Sequence, residues 1–164
     1  MARSWWSAKI RRALGYFRAA VAPAERAELA GWLAAPQLAL FDSMPAADRC
    51  HGLDVVAHLR AAGVADPDLL VAGLLHDCGK GPRVRLVHRV AWSLGRHYGS
   101  WIWRASSHLP TFRTGLARLR DHAARSAQMA REAGCTTRTI ELIRDQETPT
   151  DDGGRLLLTA DEDN

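Results

Sequence analysis

Apolar residues recur along this chain at intervals of three and four, and no stretch alternates with the two-residue period of a strand. Near the start, Trp6, Ile10, Leu14, Phe17 and Val21 share one stripe of a helix predicted over roughly Trp5 to Ala20. Pro23 opens a second helix, and Pro36 interrupts or ends it. Pro45 opens a third, over Ala46 to Ala62, with Gly63 as its cap. Asp66 as N-cap and Pro67 at the first helical position start a fourth. There Leu69, Leu70, Val71, Leu74 and Leu75 leave no polar face, and a helix apolar all round belongs inside. Gly79, Gly81 and Pro82 stop it.

Amphipathic helices are predicted over Val84 to His97 and Asp121 to Ala133, and another from a Thr136 or Thr137 cap to about Asp145. Between the first two, Trp101, Trp103 and His108 are placed on a short helix that Pro110 breaks. Thr148 to Gly154 reads as a polar loop, and a last helix covers about Arg155 to Asp161. The sum is an all-α bundle of roughly seven to nine helices. Residues 1–40 are expected to form amphipathic helices packing on or flanking a helical domain at 41–164.

Composition narrows this little. The 164 residues, 47% apolar and 24% charged, suit one globular domain. A net charge of +4 is compatible with an anionic substrate without defining a partner, and no nucleic acid is expected. Cys50, Cys78 and Cys135 are widely spaced, so a disulfide framework is not expected and a reducing cytoplasm is the default. No run approaches the ~18 apolar residues of a membrane span. Lys9, Arg11, Arg12 and Arg18 break up any signal-peptide core. A basic, tryptophan-bearing first helix is also the kind that lies on an anionic membrane, but packing on the domain with solvated arginines is the favoured reading.

The stretch "LLVAGLLHDCGKG", Leu69 to Gly81, changes the picture. An ionised carboxylate at a buried helix end needs a cation or several donors. For Asp77 that partner is Lys80 or a metal ion, and the adjacent His76 favours metal. His51 lies on the core-facing stripe with Val55, Leu59 and Ala62, and Asp161 ends the apolar run "LLLTA". His58 reads as structural, and His88, His97 and His108 as solvated or stacking rings. Cys78 reads as a small apolar side chain.

In order, His51, the doublet His76–Asp77 and Asp161 resemble the H…HD…D signature of the HD superfamily of metal-dependent phosphohydrolases, with "HDCGK" similar to its HDxGK form. The resemblance covers roughly Phe41 to Asn164. It implies an all-helical domain in which these four side chains hold one divalent ion, with Mn, Fe, Mg, Co and Ni all suited to the ligands. The implied activity is cleavage of a phosphomonoester, phosphodiester or phosphoanhydride of a nucleotide-like small molecule, by a metal-activated water. Asp77 and Lys80 would be the catalytic pair, with Lys80 either a contact to substrate phosphate or a lysine capping the preceding helix carbonyls. Arg89, Arg120 and Arg125 are candidate contacts to an anionic substrate, with a solvated surface position the favoured reading of each.

Some members hold a second ion, and His122 lies where they carry one of its ligands. The next expected His is absent: Asp145, Gln146 and Glu147 occupy that region, and there is no GYP triplet. Gln146 or Glu147 would then supply oxygen to a second ion. The alternative function is a catalytically weak or inactive metal- and nucleotide-binding regulatory module. A scaffold or peripheral membrane protein held by the first helix is a third reading.

Overall fold

The computed structural model describes residues 20–106 and 108–164, so the helix predicted over Trp5 to Ala20 lies almost wholly outside the described residues. Ten helices and no strand are present among them: α1 (Pro23–Ala30), α2 (Ala35–Ser43), α3 (Ala46–Ala61), α4 (Pro67–Leu75), α5 (Leu86–Tyr98), α6 (Trp101–Ser106), α7 (Pro110–Arg120), α8 (His122–Glu132), α9 (Thr137–Arg144) and α10 (Asp152–Asp163).

Local signals set several boundaries. The Asp66 carboxylate accepts the Asp68 N–H at 2.9 Å, with Pro67 following in the first turn of α4. Thr136 Oγ1 accepts the Thr139 N–H at 3.1 Å and caps α9. Gly63, at φ +84°, turns the chain out of α3 through the left-handed region that glycine enters without penalty. Two prolines expected to end or interrupt helices open them instead. Pro36 sits in the first turn of α2 and Pro110 in the first turn of α7, where a missing N–H costs nothing. The chain therefore has more helices than the periodicity suggested. Asp151 also caps α10, accepting the Gly154 N–H at 2.8 Å, so that helix starts inside the expected loop and runs on to Asp163.

The central element is α4, which packs on α2, α3, α9 and α10. Every residue from Leu69 to Leu75 is buried, and Leu74 and Leu75 are completely enclosed. Each such leucine contributes ~1.5–3 kcal/mol of burial. Phe41, Val55, Leu59, Ile143 and Leu157 close the core around it. Leu29 and Leu33, from the segment expected to pack on or flank the domain, belong to this same core.

A second group, α5, α6 and α7, packs beside the core, with α7 touching α8. His88 on α5 is buried here rather than solvated. Its Nδ1 accepts the Arg85 N–H at 2.9 Å, and its ring meets Phe112 edge-on with centroids 5.0 Å apart. Helix α7 covers the imidazole, and Gly115 makes room: a Cβ there would stand 2.6 Å from the ring. Among the described residues, no helix is long and apolar enough to cross a membrane.

Candidate functional site

Helix α4 ends at Leu75, and the next residues tighten into turns. Cys78 N–H bonds to Leu75 O at 3.1 Å, Lys80 N–H to Asp77 O at 3.0 Å, and Gly81 takes φ +64°. On a regular helix the side chains of His76 and Asp77 would diverge by about 100°. Here they meet: His76 Nε2 lies 3.5 Å from Asp77 Oδ1.

Two other helices bring their groups to the same point. Asp161 on α10 places Oδ1 2.7 Å from His51 Nε2 and 3.5 Å from His76 Nε2. The His51 and His76 rings meet edge-on with centroids 5.2 Å apart. The ligand atoms of His51, His76 and Asp161 all lie within 4.8 Å of one another. Residues from α3, from the turn that ends α4 and from α10, separated by up to 110 positions, thus form one cluster.

The ring orientations are fixed from behind. His76 Nδ1 faces Gly73 O at 2.9 Å, and His122 Nδ1 faces Leu119 O at 2.6 Å. A carbonyl only accepts, so Nδ1 carries the proton in both rings and Nε2 points into the site. This is the arrangement by which second-sphere groups orient metal-binding imidazoles. His122 Nε2 reaches to 3.6 Å from Asp77 Oδ1, so that oxygen lies between His76 and His122.

The two carboxylates and the imidazoles shift one another's titration. Burial works against a charged His76, but Asp77 and Asp161 outweigh it and push its pKa up to about 9. Burial likewise opposes ionised Asp77 and Asp161. Lys80 and the neighbouring imidazoles hold Asp77 well below the usual carboxylate range, and the hydrogen bond with His51 together with the nearby His76 imidazole does the same for Asp161. His122 moves the other way, because burial lowers its pKa.

The remaining candidates fall around this centre. Lys80 forms a direct ion pair with Asp77 Oδ2. Arg125 donates from Nε to Gly79 O at 3.2 Å, bracing the loop that carries Lys80. Arg120 sits on the surface in an ion pair with Asp121. Gln146 is buried, and its amide nitrogen donates to His76 O at 3.2 Å and Ile143 O at 2.9 Å. Its assigned donors thus brace the backbone of the doublet. Arg89, a candidate phosphate contact read foremost as a solvated arginine, instead places Nη2 2.7 Å and 2.8 Å from the two carboxylate oxygens of Asp48. The reason is burial: Asp48 is 1% exposed, and a buried carboxylate needs a cation.

Asp48, Ser126 and Gly52 are the residues that sequence reasoning passed over. Asp48 precedes His51 by one helical turn on the stripe that continues through Val55 and Leu59, and a carboxylate on that apolar stripe was a readable signal. Ser126 Oγ accepts the Gly79 N–H at 2.8 Å, and Gly79 packs so tightly that a Cβ would stand 2.5 Å from His122 O. Cys78, beside it, is buried with its thiol pKa pushed up to about 12 by burial, in keeping with an apolar packing role. Comparison with protein-family models, with curated proteins and with solved structures finds no match to this chain.

Proposed function

We propose that this chain is a divalent-metal-dependent phosphohydrolase acting on a nucleotide-like small molecule. One observation carries the reading. His76 Nε2 and Asp77 Oδ1 are buried without a hydrogen-bond partner, beside the His51–Asp161 contact. At 3.5 Å from each other they are too far apart for a good hydrogen bond. Leaving a buried polar atom unsatisfied costs ~1–3 kcal/mol. A divalent ion satisfies an imidazole nitrogen and a carboxylate oxygen together, and this donor set suits Mn, Fe, Mg, Co or Ni.

His51, His76, Asp77 and Asp161 would hold the ion, as the resemblance to the HD superfamily implies. When bound, it would lower the pKa of a water and offset charge on phosphoryl oxygens. The protein's own groups do the rest. Gly73 O holds the His76 ring in the orientation that presents Nε2. Lys80 balances Asp77 and places a cation at the edge of the site, where it would meet an incoming phosphate. His122, on the far side of Asp77 Oδ1, would join a second ion if one binds.

Elemental analysis of the purified chain tests the reading. About one transition or alkaline-earth ion per chain is expected, lost in His76→Ala and in Asp77→Ala. Full metal content in both variants would overturn it. A regulatory module that binds metal without turnover is the second reading. It is favoured by Gln146, whose amide holds backbone carbonyls in the region where two-metal relatives are expected to carry a histidine. Bound metal with no hydrolysis of any nucleotide or generic phosphoester would select it.

A further inference from the structure

Beyond the His–Asp cluster, one surface gathers more cations than acids. Arg113, Thr114, Ala117, Arg118, Asp121 and Arg125 line a groove of about 340 Å³ along α7 and the start of α8. Its one carboxylate, Asp121, is already held by Arg120, with Nε to Oδ1 at 2.8 Å and Nη2 to Oδ2 at 3.1 Å. Arg113 and Arg118 have no carboxylate partner among the described residues. Burial, and then the nearby Arg125 and Arg83 cations, push the Arg118 pKa down.

The groove adjoins the loop of the doublet. Arg125 donates to Gly79 O at 3.2 Å, and a Cβ on Gly81 would stand 3.2 Å from Arg118 Nη1. The residue between those glycines is Lys80, paired with Asp77. One short loop therefore borders the His–Asp cluster on one side and the arginines on the other.

We propose that this groove is a phosphate subsite for the non-reacting phosphates of a substrate carrying a chain of at least two phosphate groups, while the reacting phosphoryl group lies at His51, His76, Asp77 and Asp161. The proposal rests on the phosphohydrolase reading and deepens it, because it selects phosphoanhydride substrates over simple monoesters. Arginine suits the task, since its planar fork binds phosphate oxygens in pairs. A groove of about 340 Å³ is of small-ligand size, which favours a short phosphate chain over a nucleic-acid strand.

Calorimetric titration of the full chain with sodium tripolyphosphate and with orthophosphate tests this. Wild type is expected to bind tripolyphosphate at least about tenfold more tightly than orthophosphate, because several charge-assisted hydrogen bonds form at once. Arg113→Gln with Arg118→Gln is expected to lose at least about tenfold of that affinity. His76→Ala should retain the arginine-dependent binding. A charge-matched control, Arg60→Gln with Arg131→Gln, should lose less than about twofold. Unchanged affinity in the groove variant, an equal loss in the control, or preference for a single-stranded oligonucleotide over tripolyphosphate would overturn the subsite. If the groove variant behaves as expected but wild type holds no metal, the phosphohydrolase reading falls, and with it the substrate shared between the two sites.

Discussion

Gly52 on α3 lies directly against the backbone of Leu74 on α4: a Cβ at that position would stand 2.5 Å from the Leu74 carbonyl oxygen. His51 is the neighbour of Gly52, and His76 follows Leu74 by two residues. The close approach of these helices is therefore what brings the two imidazoles together, and the missing side chain is part of the site. Gly52→Ala is expected to destabilise the fold by ~1–3 kcal/mol, since backbone has to move to admit the methyl group. Metal content should fall with it, because His51 is carried away from His76. Denaturant unfolding and elemental analysis on one preparation check both, and unchanged values would show that the helices separate freely.

The Asp48–Arg89 pair gives a test of structural against substrate-binding arginine. Arg89→Met leaves Asp48 buried without its cation and is expected to cost ~3–5 kcal/mol. Adding Asp48→Leu removes the stranded carboxylate and should recover most of that loss. Thermal unfolding of both singles and the double gives the coupling directly. Equal stability of Arg89→Met and wild type would mean that Asp48 has other compensation.

Gln146 should act through the backbone it holds. Gln146→Ala removes the donor to His76 O and Ile143 O, and is expected to cost ~1–3 kcal/mol for the carbonyls left unpaired in the interior. Hydrogen exchange should quicken in the segment from His76 to Lys80, the part of the chain that loses its brace. Exchange unchanged there would remove the positioning role.

The convergent donors are His51, His76 and Asp161, and His122 meets the cluster only through Asp77. His51→Ala is therefore expected to lose bound metal altogether, while His122→Ala keeps at least one ion per chain. A fall to half the wild-type content in His122→Ala would identify a second ion. Inductively coupled plasma measurement on dialysed protein distinguishes the cases.

A pH dependence is expected from the Arg26–Asp42 pair, which ties α1 to α2 through contacts of 3.0 Å and 2.6 Å. The hydrogen bond from Arg26 lowers the Asp42 pKa below its ordinary value. A lowered folded-state pKa contributes stability above the unfolded value, and that contribution is lost as pH falls through the folded one. Asp42→Asn should therefore be slightly less stable than wild type near neutral pH. The gap should close on acidification and shrink in high salt, because the pair is exposed. Urea midpoints across pH follow it, and a gap that persists in acid would contradict the assignment.

Local sequence signals carried much of the fold. Asp66 and Thr136 cap helices, Gly63 ends one, and the wholly apolar run from Leu69 to Leu75 is the buried centre, because each of these depends on interactions within one or two turns. The missed elements failed for a physical reason as well. Pro110 is equally compatible with stopping one helix and starting the next, and only the neighbours decide. For His88 a solvated and a stacking ring stayed equally open, because the helix that covers it, α7, is not signalled locally. Arg89 looked free because its partner Asp48 lies 41 residues away.

The candidate site divides in the same way. The chemical types, two imidazoles and two carboxylates each at a core-facing or helix-end position, were readable from composition and periodicity, since helical spacing dictates which side chains turn inward. Their convergence was not. Bringing His51, His76 and Asp161 within 4.8 Å depends on three helices packing at one end, on Gly52 admitting a backbone contact, and on Ser126 and Gln146 holding the turn after α4. These are contacts between residues far apart in the chain, and only packing selects them. The sequence alone determined which groups the protein can offer to a ligand; the tertiary structure decided that they face one point, with two buried atoms still lacking a partner.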